Sequence, residues 1–268
     1  MSGDVHIATE TSGCGASVIY GHGLTGSRLQ TRRQLAPVAQ THAVTIYDQR
    51  GHGDSDPLTS AVDYSIDRLV CDLMSVLDAV GANRTVLGGN SMGAAVALRF
   101  ALEHPDRVSA LLLAAPAFGP EPNPAAAALR KTGETVAALG IDEYIGQMMA
   151  KEWPASAITG EAAQLAAAIW QSHRADSIAT ACAAVSHWTA FGSFAELAGI
   201  HVPVIVVAWP NDEVHTLALA AAIAAHLPDG RLVLYDRRTY YHDPSQLGRL
   251  YAEFLAEIEM AGAQPWPE

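Results

Sequence analysis

Apolar and polar positions change their spacing several times along this chain, and the changes divide it into elements. Short apolar runs bounded by glycine or polar clusters read as strands at residues 5–9, 18–20, 85–87, 110–114, 202–208 and 231–235. Residues 94–102 and the stretch from 244 to about 260 read as helices. Strand and helix alternate as far as residue 115. The pattern then breaks at Pro116, Pro120, Pro122 and Pro124, which neither a strand nor a helix can continue through. From 125 to about 198 the sequence is alanine-rich with helical spacing and no strand-like alternation. It predicts four helices, over 125–139, 141–151, 160–174 and 176–190. Strand character resumes at Val202.

The sharpest local signal is Gly89-Asn90-Ser91-Met92-Gly93, between strand 85–87 and helix 94–102. A G-x-S-x-G motif at a strand-to-helix junction is a nucleophile elbow. A serine on so sharp a turn needs strained backbone and very close main-chain neighbours, which glycine permits. The helix that follows points free N–H groups at the reacting centre. A second glycine-rich turn, Gly21-His22-Gly23-Leu24-Thr25-Gly26-Ser27, leaves strand 18–20 and turns backbone N–H groups toward a cleft. The amides of Leu24 and Met92 are the expected oxyanion donors. His22 is assigned to loop packing.

Two more segments add to these: Tyr47-Asp48-Gln49-Arg50-Gly51-His52-Gly53-Asp54-Ser55-Asp56, and Pro105-Asp106-Arg107-Val108 before strand 110–114. In this order the four segments resemble the α/β-hydrolase family over nearly the whole chain. The resemblance implies an α/β fold, a mostly parallel sheet flanked by helices, with a helical lid inserted between strands six and seven. The core domain would be 1–116 and 200–268, and the lid 117–199. Asp48 and Arg50 are read as holding their turn by hydrogen bonds. Room for only one strand precedes the strand ending at Tyr20, so the first edge strand of the family is expected to be missing.

The family order of triad residues is serine, acid, histidine. Asp212, in the turn after strand 202–208, is the expected acid, with Glu213 as the alternative. His242, in the stretch between strand 231–235 and the last helix, stands where the family places its base. His215 is the other candidate, but it follows Asp212 too closely in the chain to be oriented by it. Trp209 and Tyr241 stand where the family usually has glycines, so Tyr241 is expected to narrow the pocket. Trp153, Trp188 and Phe191 of the helical insert join Tyr241 as expected substrate-binding residues. Trp170 and Tyr144 fall in the same insert.

These readings imply a serine hydrolase working through an acyl-enzyme on an ester, thioester or lactone of a small to medium apolar substrate. The Gly-Asn-Ser-Met-Gly elbow also resembles carbon–carbon bond hydrolases of diketone-type ring-fission products. A low-turnover ligand-binding receptor on the same fold is a further alternative. No cofactor is implied, and no metal.

Composition narrows the classes. The chain has 268 residues, half of them hydrophobic, and a formal charge of −12, which disfavours nucleic acid and anionic membrane as partners. No apolar run reaches the roughly 18 residues of a membrane span. The N-terminus lacks the basic-then-apolar pattern of a secretion signal. Three widely spaced cysteines form neither a metal nor a disulfide framework. A cytoplasmic protein acting on a small molecule is expected, and a homo-oligomer is compatible with all of this. The tail after Gly262 is expected to be disordered.

Overall fold

The computed structural model describes residues 5–262; the tail after Gly262 lies outside them. Seven strands form one sheet in the order β1-β3-β2-β4-β5-β6-β7. They are β1 (Thr9–Ser12), β2 (Ser17–Gly21), β3 (Ala43–Tyr47), β4 (Thr85–Asn90), β5 (Val108–Ala114), β6 (Val204–Ala208) and β7 (Gly230–Leu234). Only β1 runs antiparallel, pairing with β3 from Thr9 opposite Tyr47 to Ser12 opposite Val44. It begins where the predicted first strand ends, so that element is displaced toward the C-terminus.

The helices are α1 (Arg28–Leu35), α2 (Ile66–Ala79), α3 (Met92–Glu103), α4 (Ala126–Leu139), α5 (Ile141–Gln147), α6 (Trp153–Ala155), α7 (Gly160–Gln171), α8 (Ala175–Val185), α9 (Leu217–His226), α10 (Arg237–His242) and α11 (Ser245–Met260). Every residue of β4 and of β5 is buried, as continuous apolar strands covered on both faces require. Alternation along β5 decides the sides. Leu111 and Leu113 pack toward α2, α3 and α9, whereas Ala110 and Leu112 pack toward α1 and α11.

Between β5 and β6 runs the helical stretch α4 to α8. Its buried side chains, among them Val136, Ile145 and Ile178, join the same hydrophobic cluster as α2 and α3. Alanine-rich helices bury little area each, so this shared core is what holds them. The indole N–H of Trp188 donates to the Tyr64 carbonyl at 2.9 Å, and the Tyr64 hydroxyl donates to the Leu58 and Ser177 carbonyls. The Tyr47–Asp56 turn is fixed by a buried ion pair. Arg50 donates from Nε and Nη2 to the Asp72 carboxylate at 2.6 and 2.7 Å, while Asp48 takes the Arg28 amide and Nε at 2.8 Å.

Chain order reverses at β2, which has β3 on one side and β4 on the other. A parallel sheet opens a crevice at such a reversal, beyond the C-terminal ends of its strands. The loops after β2, β4 and β6 all leave from that end.

Candidate active site

β4 ends at Asn90 and α3 begins at Met92, so Ser91 alone makes the turn. Its φ of 50° and ψ of −103° place it in a conformation that side-chain-bearing residues avoid. Close packing enforces it. A Cβ on Gly89 would stand 2.3 Å from the Gly93 carbonyl carbon, and one on Gly93 would stand 2.3 Å from the Gly21 oxygen. Only glycine at both places lets strand, helix and neighbouring strand come this near. Asn90, just before the serine, accepts from the Tyr20 hydroxyl and donates to Gln34 Oε1.

The loop after β2 runs against the elbow, so that a Cβ on Gly23 would lie 3.3 Å from Ser91 Cβ. His22 is fully buried behind it. Its Nε2 accepts from the Gln49 amide at 2.9 Å and its Nδ1 lies 2.7 Å from the Gly23 oxygen, which assigns the proton to Nδ1. Burial pulls its pKa down to about 4, so the ring stays neutral and braces the loop. His52, from the turn after β3, packs against the same loop, its Nε2 2.6 Å from the Leu24 oxygen.

The turn after β6 carries the rest. Trp209 follows β6 directly, and Asp212 folds the chain back on itself. Its Oδ1 accepts the amides of Val214 and His215 at 3.0 and 2.9 Å, and its Oδ2 accepts the Trp209 indole N–H at 2.8 Å. This reversal carries the His215 ring over the elbow, where His215 Nε2 lies 3.0 Å from Ser91 Oγ. His215 Nδ1 lies 3.2 Å from Asp212 Oδ1, at ion-pairing distance but off the hydrogen-bond line. Burial opposes ionisation of Asp212. The contact with His215 and the indole N–H outweigh it, and the carboxyl is held well below the usual carboxylate range. Glu213 is exposed beside it.

The expectation for His242 is corrected by this geometry. The stretch after β7 is a helix, α10, capped by Asp236, whose side chain accepts the Arg238 amide. Helical winding turns Tyr240 and Tyr241 to the pocket and His242 away from it. His242 is exposed, with Nε2 2.6 Å from the Ala157 oxygen. The histidine beside the serine is His215, three residues after Asp212. The missed signal was the Asp-x-x-His spacing itself, since a carboxylate that binds the amides two and three residues ahead reverses the chain within one turn.

A cavity of about 350 Å³ opens over Ser91. Leu24, Tyr241 and His215 lie on its sheet side, and Tyr144, Trp153 and Trp170 on the helical side. Trp188 and Phe191, expected among the binding residues, do not line it. Trp188 packs on Phe118 with ring centroids 5.7 Å apart, and Phe191 packs on Phe194 at 5.5 Å. Both belong to the layer that attaches the helical stretch to the sheet. Trp170 takes the place expected of them. Among the described residues no cluster of histidine, cysteine or carboxylate side chains is arranged to hold a metal, and no helix is long and apolar enough to cross a membrane.

Known proteins share this architecture. "Putative carbamate hydrolase RutD" of Pseudomonas savastanoi pv. phaseolicola is 28% identical over 246 residues, covering 89% of this chain and 93% of that protein. A thermophilic esterase from Thermogutta terrifontis superposes with a TM-score of 0.81 at 22% identity, covering 96% of this chain and 95% of the other. The enol-lactonase of Burkholderia xenovorans LB400 superposes with a TM-score of 0.77 at 19% identity, covering 94% and 97%. The family model for the alpha/beta hydrolase fold matches residues 16–237, from just before β2 to just past β7, and the chain belongs to that family of hydrolases.

Proposed function

We propose that the chain is a serine hydrolase that cleaves carboxylic esters, thioesters or lactones of modest-sized apolar substrates, with Ser91 as nucleophile, His215 as base and Asp212 as the acid that orients it. The observation that carries the reading is the 3.0 Å approach of His215 Nε2 to the oxygen of a serine held in elbow geometry. His215 takes the hydroxyl proton as Ser91 Oγ bonds to the acyl carbon. Asp212 then faces the imidazolium. The amides of Leu24 and Met92 receive the oxyanion, each donor contributing on the order of 3 kcal/mol in the transition state. On collapse of the tetrahedral intermediate, Nε2 returns the proton to the departing alcohol or thiol. Water repeats the sequence on the acyl-enzyme, with the same imidazole as base. The off-line Asp212–His215 approach is of the kind that tightens when substrate is bound.

The helical stretch serves as a lid, and Trp153, Trp170 and Tyr241 set which acyl group fits. A cavity of about 350 Å³ with six indole or phenol rings on its walls suits an apolar ester better than a species as small and polar as a carbamate. Labelling with a fluorophosphonate, followed by hydrolysis of p-nitrophenyl esters of graded acyl length, tests the reading. Ser91→Ala should abolish both. Retained turnover in folded Ser91→Ala overturns it.

A further inference from the structure

We infer that Trp209 is a positioning residue for the Asp212–His215 pair, its indole N–H locking the carboxylate while its ring backs the imidazole. The inference rests on the reading of His215 as base. Trp209 is 3% exposed, and its Nε1 donates to Asp212 Oδ2 at 2.8 Å. Oδ1 of the same carboxylate is held from the other side by the Val214 and His215 amides and faces His215 Nδ1. With a donor on each oxygen, the carboxylate has one orientation. The indole also lies edge-on to the His215 ring, centroids 5.9 Å apart at 65°, and rests on Tyr240 at 4.9 Å.

An acid and a base only three residues apart need such a brace. Short chain separation brings the two groups together but leaves the imidazole plane free to swing, and the indole fills the space behind it. Glycine at this position would supply neither the N–H nor the ring. Trp209 also lines the cavity, so a role as pocket wall must be separated from a role in orienting the pair.

Charge makes the separation possible. An N–H donated to a carboxylate withdraws negative charge from it, and without that donor the carboxylate holds an imidazolium more strongly. Among the described residues, Glu213 in the turn and Tyr240 and Tyr241 on α10 are further titratable groups of these elements, and substitution of Trp209 leaves them in place.

The test is the pH profile of kcat/KM for a p-nitrophenyl ester in Trp209→Phe, with Trp209→Tyr as the alternative should the first fail to fold, and His215→Gln alongside. Positioning predicts that kcat falls about tenfold or more and that the acid limb moves upward. A pocket-wall role would change KM and leave the acid limb where it is, and that result overturns the inference. Activity surviving in His215→Gln would instead overturn the assignment of the base, whatever the Trp209 variants do.

Discussion

Asp212→Asn separates chemistry from packing in one nearly isosteric change. The carboxylate accepts on both oxygens, from two amides on Oδ1 and from an indole on Oδ2. An asparagine has one oxygen, so its NH2 must face either the turn amides or the indole, donor against donor. It also loses the charge that faces the imidazolium. For a carboxylate in this role the rate cost is on the order of 10⁴ in kcat, about 5.5 kcal/mol. The lost charge-assisted contacts should lower stability by roughly 1.5–3 kcal/mol. Burial resists ionisation of Asp212, but its His215 and indole contacts depress the folded-state pKa. Its stabilisation is therefore fully present above the unfolded value of about 4 and is lost as pH falls below it. The melting-temperature gap between wild type and Asp212→Asn should be full at pH 7 and narrow below about pH 4. Esterase kinetics and thermal melts at several pH values measure both effects. Glu213→Gln, exposed and one residue away, should stay within about twofold of wild type. A dead Glu213→Gln beside an active Asp212→Asn would refute the assignment, and a gap that widens in acid would refute the linkage argument.

Gly89→Ala forces a Cβ to within 2.3 Å of the Gly93 backbone, and should cost roughly 3 kcal/mol or more by urea denaturation; a variant as stable as wild type would mean the elbow is looser than described. Trp153→Ala and Trp170→Ala should shift the preference between long and short acyl esters about tenfold, near 1.4 kcal/mol. Trp188→Ala and Phe191→Ala should lower the melting temperature and leave that preference alone; the reverse pattern would move the binding surface to the base of the lid. In wild type, kcat/KM should fall toward acid pH, as expected when an imidazole must be neutral to act, and a flat profile would show that another step masks the chemistry.

Much of this was legible in the sequence. Ser91 announced itself because a sharp strand-to-helix turn demands glycines at fixed offsets, and Asp212 because it follows an uninterrupted apolar strand. Residues 125 to about 198 show helical spacing with no strand-like alternation, so the helical stretch was visible as well. The histidine beside Ser91 was not legible by chain order. His242 occupies the expected late position, but residues 237–242 form a helix rather than a loop, and its winding presents Tyr240 and Tyr241 instead. His215 was set aside as too near Asp212, a judgement about contour length that ignores how tightly an aspartate-capped turn reverses. Trp209 and Tyr241, standing in place of glycines, were the visible sign that both loops are built differently. Trp188 and Phe191 were misread because an aromatic residue in a lid can face either the cavity or the layer beneath it, and composition does not distinguish the two.

In the proposed reading, the imidazole serving Ser91 comes from the turn after β6. Pre-steady-state acylation of Ser91 by a p-nitrophenyl ester, compared in His215→Gln and His242→Gln, tests it most directly. Acylation in His215→Gln should fall by about 10⁴ or more, with the protein still folded, while His242→Gln, which loses an exposed contact with the Ala157 carbonyl, should acylate within about twofold of wild type. Rapid acylation in His215→Gln together with its loss in His242→Gln would contradict it.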